Sequence, residues 1–180
     1  MLMTLKRHYA WIILIAAVLA QWGFPISSII EKNVVLASGV EFKIKTRPVD
    51  PADPFRGRYV AIGLEVGVPE SQRRPDPYRG TYYVRLVSGE DGFAEAAEIS
   101  RQRITGDGVL KLDDVYVGGD TIRLPYDRYY MQEHAAPLAE AVYIRERKDA
   151  YVTLRVKNGV GVVSGLYIED MPIEDYIKLR

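Results

Sequence analysis

The chain has 180 residues, 24 basic and 24 acidic side chains and no cysteine. The missing thiols exclude a disulfide scaffold, a zinc–thiolate site and a cysteine nucleophile. The charge balance leaves no basic excess of the kind that nucleic acid demands, and His8 and His134 are too far apart in sequence to suggest a metal site.

Lys6, Arg7 and His8 close a short basic amino terminus, residues 1–8. Residues 9–30 then run without a charge, and only Gln21, Ser27 and Ser28 are strongly polar. At ~1.5 Å per residue a helix of that length crosses ~30 Å of hydrocarbon. Tyr9, Trp11 and Trp22 sit where interfacial aromatics are common. A cleaved signal peptide is the rival reading, because Val18-Leu19-Ala20 resembles a small-residue cleavage site. The apolar character continues past it through Trp22, Phe24, Ile26, Ile29 and Ile30, which favours an uncleaved anchor in the lipid bilayer. A buried soluble helix is disfavoured, since no polar face is available for solvent. Lys6 and Arg7 favour an inside amino terminus, although Lys32, Lys43, Lys45 and Arg47 follow the span. The reading places residues 31–180 on the outer side.

Roughly 145–150 residues remain for one domain, enough to bury a core. Ser38-Gly39 turns the chain into Val40–Thr46, which alternates apolar and polar residues as a one-face-buried strand does. Pro48, Pro51 and Pro54 impose an extended loop, because the residue before each proline is driven out of the helical region. Tyr59–Val66 alternates again, with Val60, Ile62, Leu64 and Val66 on one face. Residues 69–77 form a polar loop whose Arg73-Arg74 is either a small anion patch or a solvated turn. Thr81–Val87, Val109–Val117 and Thr121–Pro125 read as strands, with turns at residues 89–92 and 118–119. Phe93–Arg103 is open between helix and strand. Residues 137–147 predict a short helix with Pro137 in its first turn and Leu138, Ala141, Val142 and Ile144 on its apolar face.

Asn158-Gly159 predicts a two-residue hairpin between Tyr151–Lys157 and Val160–Ile168, because both residues tolerate positive φ. That loop pairs Lys157 with Val160. It sets Val152, Leu154 and Val156 opposite Gly165, Val163 and Gly161. Residues 171–180 form a mixed tail. The fold class is α+β, mostly antiparallel β, as a sandwich or partly closed barrel with one short helix, preceded by the transmembrane helix. Thirteen tyrosines against four phenylalanines suit half-buried sheet faces and binding surfaces.

Arg47-Pro48-Val49-Asp50-Pro51, followed by Asp53-Pro54-Phe55-Arg56-Gly57-Arg58-Tyr59-Val60, resembles the signature of the GDYXXLXY protein family. That family is named for Gly-Asp-Tyr-x-x-Leu-x-Tyr. Residues 126–133, Tyr-Asp-Arg-Tyr-Tyr-Met-Gln-Glu, resemble a second family block, and Tyr151–Gly159 followed by Gly165–Ile168 a third. The resemblance spans roughly residues 38–170. Of the naming motif Gly57 and Tyr59 are kept, while Arg58, Ile62 and Leu64 stand where the family has Asp, Leu and Tyr. The resemblance implies a bacterial-type, membrane-anchored protein of uncharacterised function, occupying residues 31–170, and supplies no mechanism.

Two clusters are candidates for binding. Arg56 and Arg58 flank Gly57 at a turn, where two guanidinia near backbone N–H groups could hold a carboxylate or phosphate. The structural alternative pairs Arg56 with Asp50 or Asp53. Arg128, Tyr129, Tyr130 and Glu133 form a second group, of residue types that suit recognition surfaces; an Arg128–Glu133 pair packed on a sheet edge is the alternative. Arg56, Gly57, Tyr59, Arg128, Tyr129, Tyr130 and Glu133 are therefore the candidate binding residues, with no catalytic residue, metal or cofactor assigned. Other membrane proteins are the expected partners beside the bilayer, and no small-molecule ligand is identified. An anchored hydrolase using Ser38 with Lys43 or Lys45 is the enzymatic alternative; it would need a buried, neutral lysine.

Overall fold

The computed structural model of the chain describes residues 2–47, 59–73, 78–146 and 149–179. Its first element, α1 (Leu2–Ser38), runs 37 residues. Residues 13–38 are long and apolar enough to cross a membrane, and Trp22, Phe24, Ile26 and Ile29 stand exposed along them. Pro25 lies inside the helix and removes one amide from its hydrogen-bond ladder. The helix does not stop where the apolar run ends. It continues to Ser38 and buries Val35 against the domain.

The strands follow as β1 (Val40–Arg47), β2 (Tyr59–Ala61), β3 (Gly63–Gly67), β4 (Tyr78–Ser88), β5 (Ala94–Ser100), β6 (Val109–Gly118), β7 (Thr121–Leu124) and β8 (Arg128–Tyr130). After α2 (Ala136–Glu146) come β9 (Ala150–Lys157), β10 (Val160–Ile168), β11 (Met171–Pro172) and α3 (Ile173–Tyr176). Strands β3, β5, β4, β6 and β7 lie side by side, and β7 pairs back onto β3, which closes a five-stranded barrel. All its pairings are antiparallel except the single contact of Gly67 with Glu95. A wing of β1, β9, β10 and β11 continues from β3. Strands β2 and β8 form a separate two-stranded sheet.

The period-2 pattern explains the core. Phe42 and Ile44 of β1 point inward, while Lys43 and Lys45 between them are exposed. Ile62, Leu64, Leu110, Leu112, Ile122 and Leu154 are fully buried in one contiguous cluster, each contributing about 1.5–3 kcal/mol of transfer free energy. Of the sandwich and the partly closed barrel expected from the sequence, the β-rich fold is the barrel.

Several local expectations change. Residues 59–66 are not one strand: the chain breaks at Ile62, whose amide donates to the Asp127 carbonyl at 3.0 Å. That break lets β2 pair with β8 while β3 pairs with β1 and β7. The open segment at 93–103 contains β5, because its small alternating residues Ala94 and Ala96 pack into the barrel. In α2 the buried residues are Ala136, Ala139, Val142 and Tyr143, whereas Leu138 and Ile144 are exposed. The smaller residues allow close approach to the sheet, so the expected apolar face is rotated. A second helix, α3, forms in the expected tail. The hairpin has Asn158 at φ 52° and Gly159 at φ 88°, with Lys157 opposite Val160. The partners Gly161–Val156 and Val163–Leu154 follow as expected, but a bulge after Val163 sets Val152 against Leu166 and Gly165 against Thr153.

Candidate functional site

Tyr59, the described residue next to the first candidate cluster, meets the second in the β2–β8 sheet. Tyr59 stands opposite Tyr130, Val60 opposite Tyr129 and Ala61 opposite Arg128. The rings of Tyr59 and Tyr130 lie edge to face at 5.8 Å, a geometry the ring quadrupoles favour. Arg128 extends its guanidinium over the Tyr59 ring, 5.0 Å from the centroid, and its Nε lies 3.6 Å from Asp127. A hydrogen bond to the Tyr130 hydroxyl, then the Asp127 charge, hold Arg128 above its ordinary pKa. Tyr130 itself is 67 % exposed. Together these side chains form an aromatic and cationic ledge.

Beside the ledge lies a groove of about 470 Å³. Arg128, Tyr129 and Tyr130 form one wall, Lys32 of α1 another, and Gly161, Val162 and Val163 of β10 the floor. The groove exists because β10 is barely covered: β11 pairs only with Tyr167 and Ile168. The Tyr126 hydroxyl sits where a Gly161 Cβ would stand, so the floor of the groove at this point is tyrosine packed on glycine. Tyr129 in turn donates to Glu174 Oε1 at 2.6 Å. Burial pushes the Tyr126 phenol up to about 12, against the Gly161 amide, which lowers it. Burial, then the bond to Glu174, raises Tyr129 as well.

Glu133 lies in the turn before α2 and is not part of the groove. Arg56, Gly57 and Arg58 lie outside the described residues. Arg73 of the predicted anion patch is tied to Glu70 and Asp120 at 3.6 and 3.3 Å, which makes it a loop clamp; Arg74 lies outside the described residues. Ser38 does not meet Lys43 or Lys45. Those lysines reach Asp170 at 3.3 Å and Asp91 at 2.5 Å, each over an aromatic ring. Ser38 donates to the Val34 carbonyl at 2.8 Å and accepts from Lys157 at 2.6 Å. Its proton is thus committed to closing the helix.

A family model described as GDYXXLXY protein matches residues 21–166. The chain belongs to the GDYXXLXY family. The match begins inside the apolar stretch of α1, so the family unit includes part of that helix as well as the barrel. No curated protein and no solved structure matches this GDYXXLXY chain. Within the GDYXXLXY unit, sequence reasoning missed Lys32, Tyr126 and Gly161. Lys32 is the first cation after the apolar run, and Gly161 sits in Gly-Val-Gly immediately after the hairpin turn. Those two local signals point to the groove, and Tyr126 opens the second family block.

Proposed function

We propose that the chain is a single-pass, N-terminally anchored binding or assembly domain of the cell envelope, held on the outer face of the membrane. The observation that carries this reading is the Tyr59–Arg128–Tyr130 ledge, exposed beside the point where the apolar helix enters the domain. Tyr and Arg offer large contact area with a polar handle, which is the chemistry of recognition surfaces. The anchor brings that surface next to other membrane proteins and multiplies their local concentration.

The test is made in cells on the full chain. A photo-crosslinker at Tyr130 captures neighbouring proteins, and Arg128→Ala abolishes that capture while leaving the melting temperature of the purified chain unchanged. Protease added from outside reaches the barrel in intact spheroplasts. Loss of capture only together with loss of folding makes the ledge structural and overturns the binding reading. Protection from external protease overturns the orientation.

A further inference from the structure

We infer that the groove between α1 and β8 holds the headgroup of one anionic phospholipid, gripped by Lys32 and Arg128. The inference rests on the anchored reading above and names a ligand for the groove beside the ledge. The position of Lys32 is the first argument. It lies two residues past Ile30, where the apolar run ends, about 3 Å along a helix axis. The headgroup layer adds about 5–7 Å on each side of the hydrocarbon core. With the hydrocarbon ending at Ile30, Lys32 stands at headgroup height near the carboxyl-terminal end of the 13–38 stretch, and Arg128 and Tyr130 share its groove.

Charge is the second argument. Lys32 makes no ion pair among the described residues. The Arg128 Nε lies 3.6 Å from Asp127, and Asp127 is the one carboxylate among the described residues that line the groove. Two cations face one carboxylate, which leaves the groove attractive to a phosphodiester. Arginine offers a fork of N–H donors to phosphate and lysine a point charge. The third argument is the lining. Pro125, Val162 and Val163 provide an apolar floor, and tyrosines 126, 129 and 130 provide rings with hydroxyl tips. That mixture matches the glycerol region of a lipid, where tyrosine is enriched at bilayer surfaces. A zwitterionic headgroup would bring its own cation against Lys32 and is disfavoured.

The experiment uses the full chain in nanodiscs of phosphatidylcholine with an equal share of phosphatidylglycerol. Native mass spectrometry counts the lipids that stay with the ejected protein. One phosphatidylglycerol is retained in preference to phosphatidylcholine, and Lys32→Gln or Arg128→Gln each lowers that preference about fivefold. Arg79→Gln, on the barrel and outside the groove, leaves it unchanged. Equal retention of the two lipids, or a preference that survives both groove variants, overturns the inference. Inorganic phosphate competing as well as lipid also overturns it, since the ligand would then be a soluble anion. Alkaline carbonate extraction of the membranes is run in parallel. Release of the chain by carbonate overturns the anchor and the lipid site together, whereas retention without lipid preference overturns the lipid site alone.

Discussion

The amide of Gly39 donates to the carbonyl of Val35 at 2.7 Å, and a Cβ at Gly39 would fall 2.5 Å from that same oxygen. The same Cβ would meet the Val156 amide nitrogen at 3.1 Å. Both obstacles are backbone, so neither can swing aside. Helix α1 thus turns into β1 through a residue that must lack a side chain. Around it, Arg155 donates to the Leu36 carbonyl at 2.7 Å and pairs with Glu41 at 2.9 Å.

Gly39→Ala is expected to destabilise the chain by about 1–3 kcal/mol, the usual cost of forcing a methyl into filled space. Denaturant unfolding in detergent measures it. Hydrogen exchange will rise at the last turn of α1 before it rises in the barrel. Unchanged exchange at residues 35–38 would mean that the junction relaxes freely.

Tyr126→Phe removes a half-buried hydroxyl that sits against Gly161, and is expected to cost about 1 kcal/mol. The companion change, Gly161→Ala, drives a methyl into the Tyr126 ring and within 2.8 Å of Leu110 Cδ2, and is expected to be at least as costly. Alkaline titration offers an independent check. The Tyr126 pKa is raised in the fold from 10.0 to about 12. Its contribution is therefore complete below pH 10 and is lost as pH climbs toward 12. Tyr126→Phe flattens that part of the stability profile; an unchanged profile would show that Tyr126 does not titrate with unfolding.

Much of this architecture is legible in the chain because it is local. Asn158-Gly159 dictates the hairpin, and the alternation in Val40–Thr46 and Thr81–Val87 dictates which side is buried. The groove is another matter. Strands β2 and β8 are three residues each and far apart in sequence, so no short-range pattern announces their pairing. Residue type and family resemblance single out Tyr59 and Arg128, and only the fold brings them into contact. The closure of β7 onto β3 is equally non-local. The bulge at Ser164 is hidden for a different reason: it lets Gly165 face Thr153 beneath the Tyr167 ring, a packing choice that propensity does not encode.

Asp170 gathers the Tyr151 hydroxyl at 2.7 Å and Lys43 at 3.3 Å. The Tyr151 bond first, then Lys43, hold its carboxyl below the usual 3.8. A depressed carboxylate contributes stability above its unfolded pKa and loses it as pH falls through the folded one. The fold is thus expected to weaken as pH drops below 3.8, with Asp91 and Asp113 shifted in the same direction. Asp170→Asn lowers stability at neutral pH and reduces the acid slope. An acid slope identical to the wild type would exclude Asp170 as a contributor.

Glu169 and Asp170 join β10 to β11 with φ values of 51° and 63°. Side chains other than glycine are strained there. Glu169→Gly is predicted to stabilise by roughly 1 kcal/mol, because glycine enters this region without a Cβ penalty. Thermal melting will show the rise. A fall would mean that the Glu169 side chain contributes more than the strain it carries.

The passage from α1 through Gly39 into β1 contains no slack. In a bilayer, a helix that outmatches the local thickness tilts, and the Gly39 junction, closed by backbone contacts to Val35 and Val156, passes that tilt to the barrel. With α1 in a bilayer as proposed, the barrel would swing with the helix about the lipid surface, and rotation of α1 about its own axis would carry Tyr130 around with it. Membrane thickness and helix packing would then set the height and bearing of the ledge, without any change inside the domain.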